Sequence, residues 1–389
     1  VGKKPPRNPP QLIADDDALN RLIERLGREP RAALDTEAAS FHRYVDRVYL
    51  IQLSSDRETA LIDPLSTLEL RPLGELLNNP KVEIVLHDAD YDLRILNRDF
   101  GFTARTLFDT RLAAQLVGEP AVGLGALLEK HYGIKVNKKL QRADWSRRPL
   151  THEMIEYAAD DTRYLLALRD HLEAELESKG RLEWAREEFR LLEGIRWMPP
   201  AENEQAFLRV KGSKVLPRRN LAVLKELYGW RENTARDLDR APFRVLGNSA
   251  LLAVARATPR NQARLSDVQG LPTSAAERYG SDLLAAVKRG LETPHADLPA
   301  VKRSARPKHD RAYDRRLEQL KLLRDRRSKE MNMDPGMLCP NGTLQAIARK
   351  EPTTEKQLSG VAELREWQSV VLGKDRILAA LRGETQNPR

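Results

Sequence analysis

Two acidic residues, Asp35 and Glu37, stand one residue apart in "AALDTEA", a run with the composition of a strand. Strand side chains alternate with a period of two, so both carboxylates leave the same face, about 6–7 Å apart along the chain. If helices cover that face, the two charges repel each other and lose hydration, and a cation is needed to compensate. If the strand end emerges into solvent, the pair is harmless; the pattern alone leaves both readings open. A second acidic pair, Asp160 and Asp161, lies in "EYAADDTRYLL". On a helix starting near Thr151, Met154, Ala158, Asp161, Leu165, Leu168 and Leu172 fall on one stripe at alternating helical steps. Asp161 interrupts an apolar stripe, whereas Asp160, about 100° round the helix, shares a polar flank with Glu153 and Glu156. Tyr157, one turn before Asp161, projects beside it. The alternative is a stripe broken at a solvent-open edge. In "HDADYDLRIL", Asp88, Asp90 and Asp92 open a helix just past a strand, where the dipole favours negative charge and capping accounts for one or two of the three. Asp109 in "LFDTRLAAQ" is placed to cap the following helix.

Brought together, Asp35, Glu37, Asp92 and Asp161 would suit a hard divalent cation, Mg²⁺ or Mn²⁺ rather than zinc, because every donor is oxygen. Two such ions about 4 Å apart would activate a water and stabilise the leaving oxygen of a phosphodiester. Tyr157, with an ordinary phenol pKa of about 10, fits a water-orienting donor better than a strong base.

The elements that must hold these groups alternate over residues 11 to about 180. "DDDALNRLIERL" carries acids in its first turn and apolar residues at helical spacing. "AALDTE", "RVYLIQLS" and "TALIDP" are strand-like at hairpin spacings, and "VEIVLH" is a further strand. Helices are expected at "PLGELLNN", at "DYDLRILNRDFG" closed by Gly101, at "TRLAAQL" and "GLGALLEKHYG", and as one long helix from Thr151 to Ser178. Strands grouped first and alternated with helices later imply a mixed sheet covered by helices. Beyond residue 200 only amphipathic helices remain. There Leu251, Arg256, Pro259, Leu265 and Val268 recur as Leu344, Arg349, Pro352, Leu358 and Val361, at a constant offset, so two copies of one small helical domain are expected. The second copy reads as shortened by four residues near Gly336, with Trp230 replaced by Arg326.

The 389 residues carry 66 lysines and arginines against 57 acids, a net charge of +9. A basic chain of this size suits a polyanion, nucleic acid first, or simply a basic soluble surface. Residues 301–330 hold twelve basic and five acidic residues, the first part reading as a flexible linker. The single cysteine, Cys339, excludes an internal disulfide framework and a cysteine-rich zinc site, and makes a reducing, cytoplasmic setting the default. No apolar run approaches the roughly 18 residues of a membrane span. "VGKKPPRNPP" lacks the apolar core of a secretory signal and reads as a disordered lead over residues 1–10.

"LDTE", "HDADYDLRIL" and "YAADDTRYLL" resemble the three exonuclease motifs of the ribonuclease D family, in the DEDD superfamily; Y-x-x-x-D marks its tyrosine subclass. "LIQLS", "ALIDPL", "FDTRLAAQL" and "LQRADWSRRPLTHEM" extend the likeness from about residue 12 to residue 180, and the paired helical modules resemble HRDC domains. The resemblance implies an α/β ribonuclease H-like catalytic domain over residues 11–200, then two small all-α HRDC bundles at 205–293 and 313–385, joined by a basic linker at 294–312. It implies two Mg²⁺ or Mn²⁺ ions held by Asp35, Glu37, Asp92 and Asp161, and a water placed by Tyr157. The activity implied is 3′–5′ exoribonuclease hydrolysis to nucleoside 5′-monophosphates. Its substrate would be structured RNA such as tRNA precursors, and the enzyme would be a monomer without membrane attachment. His87 would line the site. Trp145, Arg147, Arg148, Lys211 and Lys214 are candidate RNA contacts, although packing a loop is the better reading of Trp145 and the two arginines equally suit solvent. A DNA exonuclease of the same class and a non-catalytic RNA-binding scaffold are the rivals.

Overall fold

The computed structural model describes residues 9–66, 69–136, 139–199, 205–301 and 310–384. Most of the expected N-terminal lead, and residues 302–309 of the expected basic linker, lie outside them. The chain opens with β1 (Gln11–Ile13) and α1 (Asp16–Leu26), where the Asp15 side chain caps the helix by accepting the N–H of Ala18. Then β2 (Arg31–Ala38), β3 (Val48–Ser54) and β4 (Thr59–Ile62) form an antiparallel meander. There follow α2 (Arg71–Leu77), β5 (Glu83–Leu86), α3 (Asp90–Phe100), β6 (Leu107–Asp109), α4 (Thr110–Val117) and α5 (Leu124–Tyr132). A long loop leads to α6 (His152–Arg163), α7 (Leu165–Ser178) and α8 (Leu182–Glu193).

The six strands lie in the order β1-β4-β3-β2-β5-β6, with β1, β5 and β6 added in parallel to the meander. β1 and β6, three residues each, are too short to show any alternation in the sequence. The strand β2 is buried in the middle, and its alternation divides two cores. Ala32 and Leu34 join Leu19, Leu22, Leu73 and Leu93 on one side, while Ala33 joins Ala113, Leu127 and Leu168 on the other. Asp35 and Glu37 leave on the Ala33 side, the face against which α6 and α7 pack.

The long helix expected from Thr151 to Ser178 is two helices, broken at the buried Tyr164. No glycine or proline marks the break. The halves answer to different surfaces: α6 buries Met154, Ala158 and Ala159 with Tyr49, Leu50 and Leu61, whereas α7 buries Leu165, Leu168 and Leu172 with α4 and α5.

The rest of the described chain is helical. A first module contains α9 (Arg218–Asp237), α10 (Pro242–Val245), α11 (Asn248–Ala257), α12 (Gln262–Ser266) and α13 (Thr273–Glu292). The second contains α14 (Arg311–Met331), α15 (Pro335–Leu338), α16 (Asn341–Lys350), α17 (Glu355–Ser359), α18 (Glu366–Leu372) and α19 (Lys374–Arg382). The helices α14 to α18 begin at the positions that the same offset predicts from α9 to α13, so the expected deletion near Gly336 is absent and Trp230 aligns with Leu323, not Arg326. Both copies are built on a buried arginine. Arg231 donates to the Leu246 carbonyl and, at 2.6 Å, to Asn248; Arg324 donates to the Cys339 carbonyl and, at 2.7 Å, to Asn341. They differ where Gly280 stays helical inside α13 while its counterpart Gly373, at φ +83°, separates α18 from α19.

The two modules also attach differently. The first has its own core, from Phe207 through Leu224, Leu251 and Leu283 to Val301. The second shares one continuous core with the catalytic half: Leu344, Ile347 and Trp367 belong to the cluster of Phe108, Leu168 and Phe189. Trp184 of α8 stacks on Trp367 at 5.2 Å, and the Trp367 indole N–H donates to Glu188 at 2.8 Å. The Glu187 carboxylate accepts the first two N–H groups of α18, where the helix dipole favours an anion. No described helix is long and apolar enough to cross a membrane.

Candidate active site

Carboxylate oxygens of Asp35, Glu37 and Asp161 all lie within 4.8 Å of one another. β2 supplies the first two and α6 the third, from the stripe position that its spacing predicts. Asp92, in the first turn of α3, stands beside this trio. It is buried, raises Asp35 through its charge, and accepts a hydrogen bond from the Thr36 hydroxyl.

The neighbouring acids are all spoken for. Asp88 pairs with Arg111, Asp90 with Arg94, and Asp160, expected on a solvated flank, with the buried guanidinium of Arg163. None of the four cluster members has such a partner among the described residues. Their protonation follows. Burial first, then the charges of Asp160 and Asp92, pushes Asp161 up to about 7. Asp92 also rises to about 7, burial outweighing the Thr36 hydrogen bond. Asp35 and Glu37 stand well above the usual carboxylate range for the same two reasons. Asp92 is buried and Asp35, Glu37 and Asp161 are half-buried. Four such carboxyl groups, with oxygen as their only donor atom and no cationic partner among the described residues, fit a hard divalent cation, whose charge would relieve both the desolvation and the repulsion.

Asp109 positions the fourth of these groups. As expected it caps α4, accepting from the N–H groups of Arg111 and Leu112 at 2.8 and 3.1 Å. The same buried carboxylate also accepts from Asp88 and Ala89 at 3.2 and 2.8 Å, and so satisfies the start of α3, whose own cap residue, Ala89, has no side-chain acceptor.

The cluster opens into a cleft of about 400 Å³ lined also by His87, Tyr157, Gln141, Val136 and residues 123–126. Burial and the charges of Asp161, Glu37 and Asp35 raise the Tyr157 phenol above its ordinary value, so it remains a proton donor. His87 is neutral at pH 7, lowered to about 4 by burial. The Thr110 hydroxyl donates to the Leu86 carbonyl at 2.9 Å, so it accepts from the His87 Nδ1–H, also at 2.9 Å, and Nε2 is left as an acceptor. The first turn of α5 also lines the cleft, where helix N–H groups make a favourable environment for an anion. Nothing in the local pattern of "GLGALL" singled it out; only tertiary structure brings it to the cleft.

Two expected RNA contacts are corrected. Trp145 is 1% exposed and packs with its ring 5.9 Å from Tyr157, so it supports the tyrosine and has no free face for a base. Arg148 donates to both oxygens of Asp63 at 2.5 and 2.7 Å and to the carbonyls of Tyr49 and Trp145, which tethers its loop to β3 and β4 and occupies the guanidinium. Arg147 is exposed beside Asp144, and Lys211 and Lys214 are exposed ahead of α9; none of these three lines the cleft.

A mixed sheet with an acidic, cation-fitting cleft beside its central strand is the frame of a 3′–5′ exonuclease. A family model of that description matches residues 10–177, and an HRDC domain model matches residues 220–287 and again 314–381. Ribonuclease D of Desulfotalea psychrophila is 33% identical over 339 residues, covering 86% of this chain and 90% of that protein. Ribonuclease D of Escherichia coli K12 is 36% identical over 290 residues, 74% of this chain and 77% of that one. The crystal structure of E. coli RNase D, described as an exoribonuclease involved in structured RNA processing, matches with a TM-score of 0.68 and 30% identity, over 97% of this chain and 99% of that chain. The chain belongs to the ribonuclease D family and is a 3′–5′ exoribonuclease.

Proposed function

We propose that the chain trims structured RNA with a short single-stranded 3′ tail, tRNA precursors first among them, and releases nucleoside 5′-monophosphates. The observation that carries this reading is the group of four carboxyl residues, one buried and three half-buried, that have no cationic partner among the described residues and sit at an open cleft. Two Mg²⁺ or Mn²⁺ ions would supply Lewis acidity toward the scissile phosphate and its attacking water. Asp35, Glu37, Asp92 and Asp161 would hold them. Tyr157, kept protonated, donates a hydrogen bond that orients the water, and the Trp145 ring holds the phenol in place. His87 offers Nε2 toward the substrate.

Residues 11–200 then form the catalytic domain, with HRDC domains at 205–293 and 313–385. The first carries a groove of about 950 Å³ lined by the exposed Arg256, Arg260 and Arg264, which suits phosphates of the RNA body. In the second copy the last two positions are Thr353 and Gln357, in keeping with a bracing role. The enzyme works as a cytoplasmic monomer. The test is trimming of 5′-labelled RNA and DNA side by side, with Mg²⁺ or Mn²⁺. Asp161→Asn abolishes trimming; activity that survives it refutes the site. Replacing the three groove arginines with alanine lowers the salt slope of RNA binding by about three, whereas an unchanged slope removes the groove from the RNA path.

A further inference from the structure

Where the strand that carries Asp35 and Glu37 runs on toward the first helical module, two phenyl rings lie open to solvent. Phe41, 41% exposed, follows Glu37 by four residues; Phe243, 53% exposed, is the second residue of α10 in the first helical module. Their rings meet edge to face at 6.3 Å. The Arg142 guanidinium lies 5.1 Å from the centre of the Phe41 ring, and Arg244 lies 5.9 Å from that of Phe243 while donating to the Phe41 carbonyl. Both arginines are exposed and neither meets a carboxylate among the described residues. A contact serving only to join two domains would bury these rings and neutralise those charges. Nearby, Asp239 also joins the two domains, binding Arg43 and the Tyr44 N–H, each at 3.2 Å.

The patch adjoins a loop that lines the catalytic cleft. Gln141 lines the cleft and Arg142, the next residue, covers Phe41. The loop is held in place by a 2.9 Å hydrogen bond between His42 Nε2 and the Arg142 carbonyl, and by one of 2.8 Å from Arg43 to Ser146.

Resting on the exoribonuclease reading above, we infer that Phe41 and Phe243 form a stacking platform for an unpaired base of the RNA 3′ tail just outside the cleft, with Arg142 and Arg244 meeting the flanking phosphates. Aromatic rings accept any base face and arginine meets phosphate without reading sequence, so the platform grips the tail regardless of its bases. Because its two rings come from different domains, it also sets how many unpaired nucleotides must separate the RNA body from the reacting end.

The experiment places 2-aminopurine singly at successive positions of the 3′ tail of a hairpin RNA and reads its fluorescence on binding to the full chain in EDTA, where no cleavage occurs. A change confined to one or two adjacent positions, and lost in Phe41→Leu/Phe243→Leu, supports the platform; leucine keeps the apolar contact and removes only the aromatic face. With Mg²⁺ the same variant raises KM for the tailed hairpin on the order of 10-fold, while kcat and the cleavage of a trinucleotide too short to reach the rings stay unchanged. Arg142→Gln, which leaves both rings in place, raises KM in the same way. Fluorescence that is uniform along the tail, or indifferent to the leucines, overturns the inference. So does an equal loss of activity on trinucleotide and hairpin, the mark of a purely structural contact. If the unaltered chain trims no RNA with Mg²⁺, the exoribonuclease reading fails, and the fluorescence result still decides the platform.

Discussion

Asp160 and Asp161 are neighbours of identical chemistry with opposite circumstances. One neutralises a buried arginine; the other joins three further carboxyl residues that nothing in the described chain neutralises. This has a consequence for stability. Asp92 and Asp161 titrate near 7 in the fold and near 4 when unfolded. Between those values the folded state holds protons that the unfolded chain has released, so the metal-free protein loses stability as pH rises through that window. A divalent ion removes the penalty by binding the ionised form. The melting-temperature gain on adding millimolar Mg²⁺ should therefore grow from little at pH 5 to several degrees at pH 8, and Asp161→Asn should flatten the metal-free slope; a thermal-shift series checks both. Tyr157→Phe keeps the packing on Trp145 and deletes only the donor. It should lower kcat about 10²-fold or more with little change in RNA affinity, measured by single-turnover cleavage and equilibrium binding.

At the scale of elements, Asp109 joins two helix starts through one buried carboxylate. Asp109→Ala leaves four N–H groups without that acceptor and should cost about 2–4 kcal/mol in urea unfolding. It should also depress activity, because Asp92 rides on the first turn of α3; Asp109→Asn, which keeps one acceptor oxygen, should be milder on both counts. The capping of α4, the shared face of Asp35 and Glu37 and the stripe position of Asp161 were legible in the sequence because each depends on local periodicity. The break at Tyr164 was not: both halves keep their apolar stripes, and only the surfaces they meet differ. Arg148 was misread for a related reason, whereas Trp145, for which packing was the better of two readings, is indeed packed. Tryptophan and arginine suit RNA and also suit a buried brace, and partners such as Asp63 lie far away in sequence.

At the scale of the molecule, the offset repeat correctly announced two copies of one helical module, but not that they are used differently. Residues that dock the second copy, Trp367 above all, look like ordinary core in the sequence, while Trp184 and Glu188 sit on a helix of the catalytic half. The shared core of these two parts makes them a single cooperative unit, although more than a hundred residues of chain run between them. Calorimetry should thus resolve two transitions rather than three: one for the first module alone, and a larger one in which the catalytic half and the carboxy-terminal module melt together. Trp367→Ala should lower only the larger. Truncation from the carboxy terminus would then remove part of the hydrophobic interior of the nuclease itself, and the last helices are better regarded as belonging to the catalytic body.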